Sequence, residues 1–63
     1  MQVFNVSGMT CSHCERAVTQ AIQALDPQAR VQVDLAGGTV EVQSSVSEQA
    51  IRQAISEAGY QVA

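Results

Sequence analysis

Sixty-three residues, 46% hydrophobic and 3% aromatic, amount to one folded domain with a core of Val, Ile, Leu and Ala and only two rings, Phe4 and Tyr60. A chain this short buries only about 60% of its surface on folding and cannot also enclose a large active-site cleft. Three Arg, no Lys and six acids give a net charge of −3, which argues against a nucleic-acid partner because such surfaces carry basic patches. No apolar run approaches the roughly 18 residues of a membrane span, and the N-terminus lacks the basic-then-apolar layout of a signal peptide. The expected address is the cytoplasm.

Residues 2–6 read as a first strand, with Phe4 and Val6 on one face and Asn5 between them, ended by Ser7 and Gly8. Ser12 followed by Glu15 matches a capping box. It places Ser12 near the N-cap of a helix from about His13 to Leu25, Cys14 in its first turn and Cys11 in the preceding loop. Ala17, Val18, Ala21, Ile22 and Leu25 form the apolar stripe of that helix, and Asp26-Pro27 ends it. Arg30–Leu35 and Thr39–Gln43 alternate polar and apolar around Ala36-Gly37-Gly38, a β-hairpin whose two glycines are expected at positive φ. Ser45-Val46-Ser47-Glu48 repeats the Ser-x-x-Glu cap and opens a second helix with Ala50, Ile51, Ala54, Ile55 and Ala58 as its stripe. Gly59 is its expected C′ residue, and Tyr60-Gln61-Val62 reads as a last strand. The two stripes align at an offset of 33 residues, modest evidence for duplication. The order β-α-β-β-α-β predicts a single α+β domain over residues 1–63: a split βαβ sandwich with two helices on one face of a four-stranded antiparallel sheet.

The only two cysteines and the only histidine lie together in Cys11-Ser12-His13-Cys14, where the strand pattern gives way to the helical one. A helix start favours thiolate over thiol, so the pair is expected to be more acidic than a free cysteine. A lone Cys-x-x-Cys fits several chemistries. A closed structural zinc site needs four ligands, and this chain offers two sulfurs and one imidazole. A thioredoxin-like couple needs a larger sheet than so short a chain supplies. A soft ion held by two thiolates remains, with Cu(I) the leading candidate because thiolates select it over hard cations. Two ligands leave the ion open to a third sulfur, which suits transfer better than storage.

Gly8-Met9-Thr10-Cys11-Ser12-His13-Cys14 resembles the Gly-Met-Thr/Ser-Cys-x-His-Cys signature of heavy-metal-associated domains, and Gly59-Tyr60 after the second helix is similar to bacterial CopZ-type copper chaperones. The resemblance spans essentially the whole chain. It implies a ferredoxin-like fold, Cu(I) bound by Cys11 and Cys14, and delivery to a copper-transporting P-type ATPase whose amino-terminal domains carry the same motif. It also implies Met9 packed beneath the metal loop and Tyr60 beside it. Mercury-binding relatives of this fold are usually exported with a signal peptide, which this sequence lacks.

Taken alone, Met9 is a flexible gap filler of the core rather than a ligand. His13 is a solvent-facing first-turn residue, available as an additional ligand if two molecules share copper. Tyr60 is expected half in the core with its hydroxyl wet, and Arg16 is a solvated helix residue that can steer an acidic partner. The function expected is that of a soluble copper chaperone, not an enzyme, monomeric without metal and able to form a copper-linked homodimer. The alternatives are a metal-binding domain of a larger transporter, against which the Met1 start argues, a detoxifying binder of Hg(II), Cd(II) or Zn(II), and a small thiol oxidoreductase.

Overall fold

Alternation along the strands decides which side of the sheet is covered. In the computed structural model, which describes residues 2–63, the elements are β1 (Gln2–Ser7), α1 (Ser12–Leu25), β2 (Arg30–Asp34), β3 (Thr39–Gln43), α2 (Glu48–Glu57) and β4 (Gln61–Val62). The sheet is antiparallel throughout, in the order β2-β3-β1-β4. Phe4 and Val6 of β1 and Val40 and Val42 of β3 face inward and meet Val18 and Ile22 of α1 and Ile51 and Ile55 of α2 in one core. Val3, one residue out of phase, is 60% exposed on the other face. This is the α+β sandwich the element order predicts, in the ferredoxin-like form the resemblance implies. Because β1 is central and α1 follows it directly, the β1–α1 loop emerges at one end of the sandwich.

The helix starts differ from the expected ones. Cys11, not Ser12, is the N-cap of α1, and no side chain caps it. The Cys11 carbonyl accepts from the Cys14 and Glu15 amides at 3.0 and 3.3 Å, which draws the helix start forward by a residue. At α2 the cap is Ser47 rather than Ser45; its hydroxyl accepts from the Ala50 amide at 3.2 Å. Ser45 cannot serve because Val46 is turned onto the core, its amide donating to Ser44 Oγ at 3.1 Å. The buried stripes keep the offset of 33, Val18 against Ile51 and Ile22 against Ile55, but the caps Cys11 and Ser47 lie 36 apart. Relative to its counterpart, α1 carries nearly one extra turn at its N-terminus, and that turn holds Cys14.

Three smaller expectations also change. Leu25 is 45% exposed and Ala58 is exposed, since both flank the open groove between the helices instead of facing the sheet. In the hairpin only Gly38 has a positive φ, +67°. Gly37 instead donates its amide to Asp34 Oδ1 at 3.1 Å, and a Cβ there would sit 2.8 Å from Asp34 Oδ2. Leu35 belongs to the turn, not to β2. Finally, Tyr60 precedes β4: its amide donates back to the Ile55 carbonyl at 3.3 Å, so it completes the end of α2.

Candidate metal centre

The loop between β1 and α1 places two sulfurs at one exposed end of the fold. Cys11, as N-cap, has an extended backbone and an exposed side chain, whereas Cys14, on the third helical residue, is half-buried against the core. Both are free thiols, with Cys11 Sγ and Cys14 Sγ 3.9 Å apart. Thr10 Oγ1 lies 4.0 Å from Cys14 Sγ. Met9, within this loop, is 8% exposed and part of the core. His13 and Arg16 are exposed. Among the described residues no group of three His, Cys, Asp or Glu side chains converges, so the imidazole of His13 stands apart from the sulfur pair.

From the opposite end of the chain Tyr60 reaches the same place. It is half-buried, packed on the core, and its ring lies over Gly8, where a Cβ would come within 3.6 Å of Tyr60 Cδ1. The Tyr60 hydroxyl is the largest influence on Cys14, whose thiol pKa is lowered to about 6; the Thr10 backbone adds to it, burial opposes it, and the Cys11 backbone and side chain lower it by less. The pKa of Tyr60 is raised in turn, first by its pairing with Cys14 and then by burial and the charges of the Cys14 and Cys11 sulfurs. The acidity expected from the helix start falls on Cys14 with a different main cause: the side chain of a tyrosine 46 residues away, followed by the backbone of Thr10.

The donor set fits a soft, low-coordinate ion. A thiolate bond of about 2.3 Å lets one ion touch both sulfurs at their present separation, and a linear S–metal–S arrangement requires them to open only to about 4.6 Å. Hard cations, which take six or more oxygens, find no such set in this loop. The sequence assigns Thr10 no role; its place beside the first cysteine is visible there, but the direction of its hydroxyl is not.

The family model for the heavy-metal-associated domain matches residues 3–61. This chain belongs to the heavy-metal-associated domain family. Among relatives, this heavy-metal-associated domain is 39% identical to the copper chaperone CopZ of Staphylococcus aureus (strain bovine RF122 / ET3-1), over 97% of this chain and 94% of that one. Among solved structures, it superposes with a TM-score of 0.97 and 40% identity on the Cu2 form of copper chaperone Atx1 from Synechocystis PCC6803, covering all of both chains. It also superposes on a gold binding protein with a TM-score of 0.90 and 35% identity, over 95% of this chain and 92% of that one. No helix of the described residues is long and apolar enough to cross a membrane.

Proposed function

We propose that this protein is a soluble, cytoplasmic copper chaperone that binds Cu(I) through Cys11 and Cys14 and passes it by thiolate exchange to the metal-binding domains of a copper-transporting P-type ATPase. The observation that carries this reading is the pairing of two free sulfurs 3.9 Å apart at an exposed helix start, with no third ligating side chain closing the site among the described residues. The names of the relatives, copper chaperones in Staphylococcus aureus and Synechocystis, support the choice of copper.

Exchange follows from the unequal exposure of the two sulfurs. A partner thiolate approaches from the Cys11 side and adds to the ion, raising its coordination from two to three. One of the original sulfurs then departs, a second partner thiolate adds, and the other original sulfur leaves, so the ion ends on two partner sulfurs. Copper never passes through water, and no bond to carbon is made or broken, so the protein acts as a carrier and not as an enzyme. Anaerobic titration with Cu(I) against a strong chromophoric chelator tests the binding step. One equivalent held by the wild type and lost in the Cys11→Ser/Cys14→Ser double variant is the expected result; equal retention by both rules out the sulfur pair. Likeness to a gold binding protein favours a second reading, a binder of other soft ions such as Hg(II) or Cd(II). Competition of Hg(II), Cd(II) and Zn(II) against Cu(I) separates the two.

A further inference from the structure

Strand order leaves β2 at one edge of the sheet and β4 at the other. β4 is two residues long, whereas β2 pairs with β3 at every residue of Arg30–Asp34 without a bulge. Successive residues of a strand turn their backbone polar groups to opposite neighbours. The Val6 amide donates to the Gly38 carbonyl on the β3 side of β1, and the Ala63 amide donates to the Asn5 carbonyl on the β4 side. Carried through the two registers, this alternation has Val40 and Val42 bonding β1, while Thr39, Glu41 and Gln43 bond Asp34, Gln32 and Arg30. The amides and carbonyls of Val31 and Val33 therefore point out along the free edge.

The side chains on this edge are self-complementary. Arg30, Gln32 and Asp34 are exposed on the helix-free face, and Val31 and Val33 are half-buried against the core on the other. Charges on an edge strand ordinarily guard it against pairing. A guard repels its own copy, and this one does so only in an in-register parallel approach, which sets Arg30 beside Arg30 and Asp34 beside Asp34. In an antiparallel approach centred on Gln32, Arg30 faces Asp34, Val31 faces Val33 and Gln32 faces its own copy. Centring one residue earlier or later sets Arg30 or Asp34 opposite Gln32 and loses the charge pairs. Neither charge has an ion partner within the described residues, where the salt bridge joins Arg52 to Glu48. Asp34 Oδ1 accepts from the Gly37 amide, which leaves Oδ2 for a cation.

We infer that β2 is a self-association edge that takes a second copy of this chain, the two β2 strands antiparallel with Gln32 on the two-fold axis, joining two four-stranded sheets into one. This register suits the backbone as well as the side chains. Val31 and Val33, whose polar groups point outward, become the hydrogen-bonded pairs, and Arg30 and Asp34 fall at non-hydrogen-bonded pairs, where side chains lie closest. One short strand edge buries well below the roughly 1,200 Å² of a stable interface, and each copy carries a charge of −3. The protein is therefore monomeric when dilute and pairs when concentrated. β1 and β2 run parallel, each being antiparallel to β3, so the loop after β1 lies at the Asp34 end of β2. The second copy carries its loop at the opposite end. Its sulfur pair cannot share a metal with the first, which separates this dimer from a copper-linked one, and the inference stands independently of the copper reading.

Amide NMR spectra and translational diffusion of the metal-free, reduced protein, recorded from micromolar to millimolar concentration, test this. Diffusion is expected to slow as the Val31 and Val33 amides shift and gain protection from hydrogen exchange, and the Cys11→Ser/Cys14→Ser variant should do the same. Arg30→Asp makes the edge all acidic and Asp34→Arg makes it all basic. Each alone should weaken self-association by about fivefold or more. An equimolar mixture of the two should pair at least as tightly as the wild type, because every charged position again meets its opposite. Circular dichroism checks that each variant folds. Should Asp34→Arg fail to fold for want of the Gly37 bond, the comparison passes to Arg30→Gln and Arg30→Asp, with pairing expected to fall in that order from wild type. Val31 and Val33 amides that do not respond up to millimolar concentration overturn the inference. So do self-association indifferent to the charge changes, a mixture no tighter than its parts, and shifts centred on the metal loop or on the groove between the helices.

Discussion

Tyr60 and Cys14 lie 46 residues apart in the chain, yet the tyrosine hydroxyl is the strongest single influence lowering the cysteine thiol to about 6. The relationship ties the end of α2 to the first turn of α1, the tyrosine's own ionisation being raised as the cysteine's is lowered.

Alkylation of the metal-free protein with iodoacetamide, followed against pH and resolved by cysteine, should show Cys14 reacting with a midpoint near 6 and not near the 8.5 or so of a peptide cysteine. Tyr60→Phe should move that midpoint upward. The sign for stability comes from the lowered value: ionised Cys14 stabilises the folded state above the ordinary thiol pKa, and this contribution is lost as pH falls through about 6. A midpoint unchanged by Tyr60→Phe would assign the acidity to the loop backbone instead.

Either Cys11→Ser or Cys14→Ser should weaken Cu(I) binding severely, because one soft ligand remains where two were needed. The fold should survive both, since neither residue belongs to the buried core. Circular dichroism with an unchanged helical signal, alongside an anaerobic chelator competition that each variant loses, is the expected pair of results.

Ser44 Oγ donates to Asp26 Oδ2 at 2.7 Å and the Gln28 amide to Asp26 Oδ1 at 3.0 Å, joining the end of α1 to the loop before α2. These bonds, the serine first, lower the carboxyl pKa of Asp26. A depressed carboxyl stabilises the fold above its unfolded pKa of about 3.9 and ceases to do so as pH falls through the folded value. Ser44→Ala should therefore lower the urea midpoint at pH 7, and the gap from wild type should shrink below about pH 4. A gap that persists undiminished in acid would mean that the hydroxyl matters through packing alone.

His13 is exposed beside the sulfurs but does not converge with them. His13→Ala and Tyr60→Phe should both leave affinity for the first copper within about tenfold, or roughly 1.4 kcal/mol. Where two molecules share bridging thiolates above one equivalent of copper, the imidazole comes within reach of the shared metal, and His13→Ala should weaken the resulting dimer more than it weakens the monomer's binding. Gel filtration across a copper titration checks this: a protein that stays monomeric, or a dimer indifferent to His13→Ala, leaves the histidine a solvated first-turn residue.

Period and punctuation in the sequence suffice for most of this fold. The alternation of Phe4 and Val6, or of Val40 and Val42, and the helical recurrence of Val18 and Ile22, or of Ile51 and Ile55, are local patterns, and local sterics turn them into elements without further help. Helix starts are harder to read, because Ser-x-x-Glu occurs at both Ser12 and Ser45 while the cap belongs to whichever residue the neighbouring contacts leave free. At α2 the burial of Val46 hands the role to Ser47; at α1 the Cys11 carbonyl takes the amides that a Ser12 cap would have left behind.

The same division runs through the candidate site. Sequence alone determined that two thiols stand three residues apart at a strand-to-helix junction, since spacing and element type are properties of a short stretch. Only the tertiary structure decided that Cys14 is half-buried while Cys11 is exposed, that the sulfurs are 3.9 Å apart, and that Tyr60 governs the acidity of one of them. Those facts depend on how α2 ends against a sheet whose central strand leads into the metal loop. The influence of residue 60 on residue 14 has no signature in either neighbourhood, because it exists only once the core has brought the two helices onto one face.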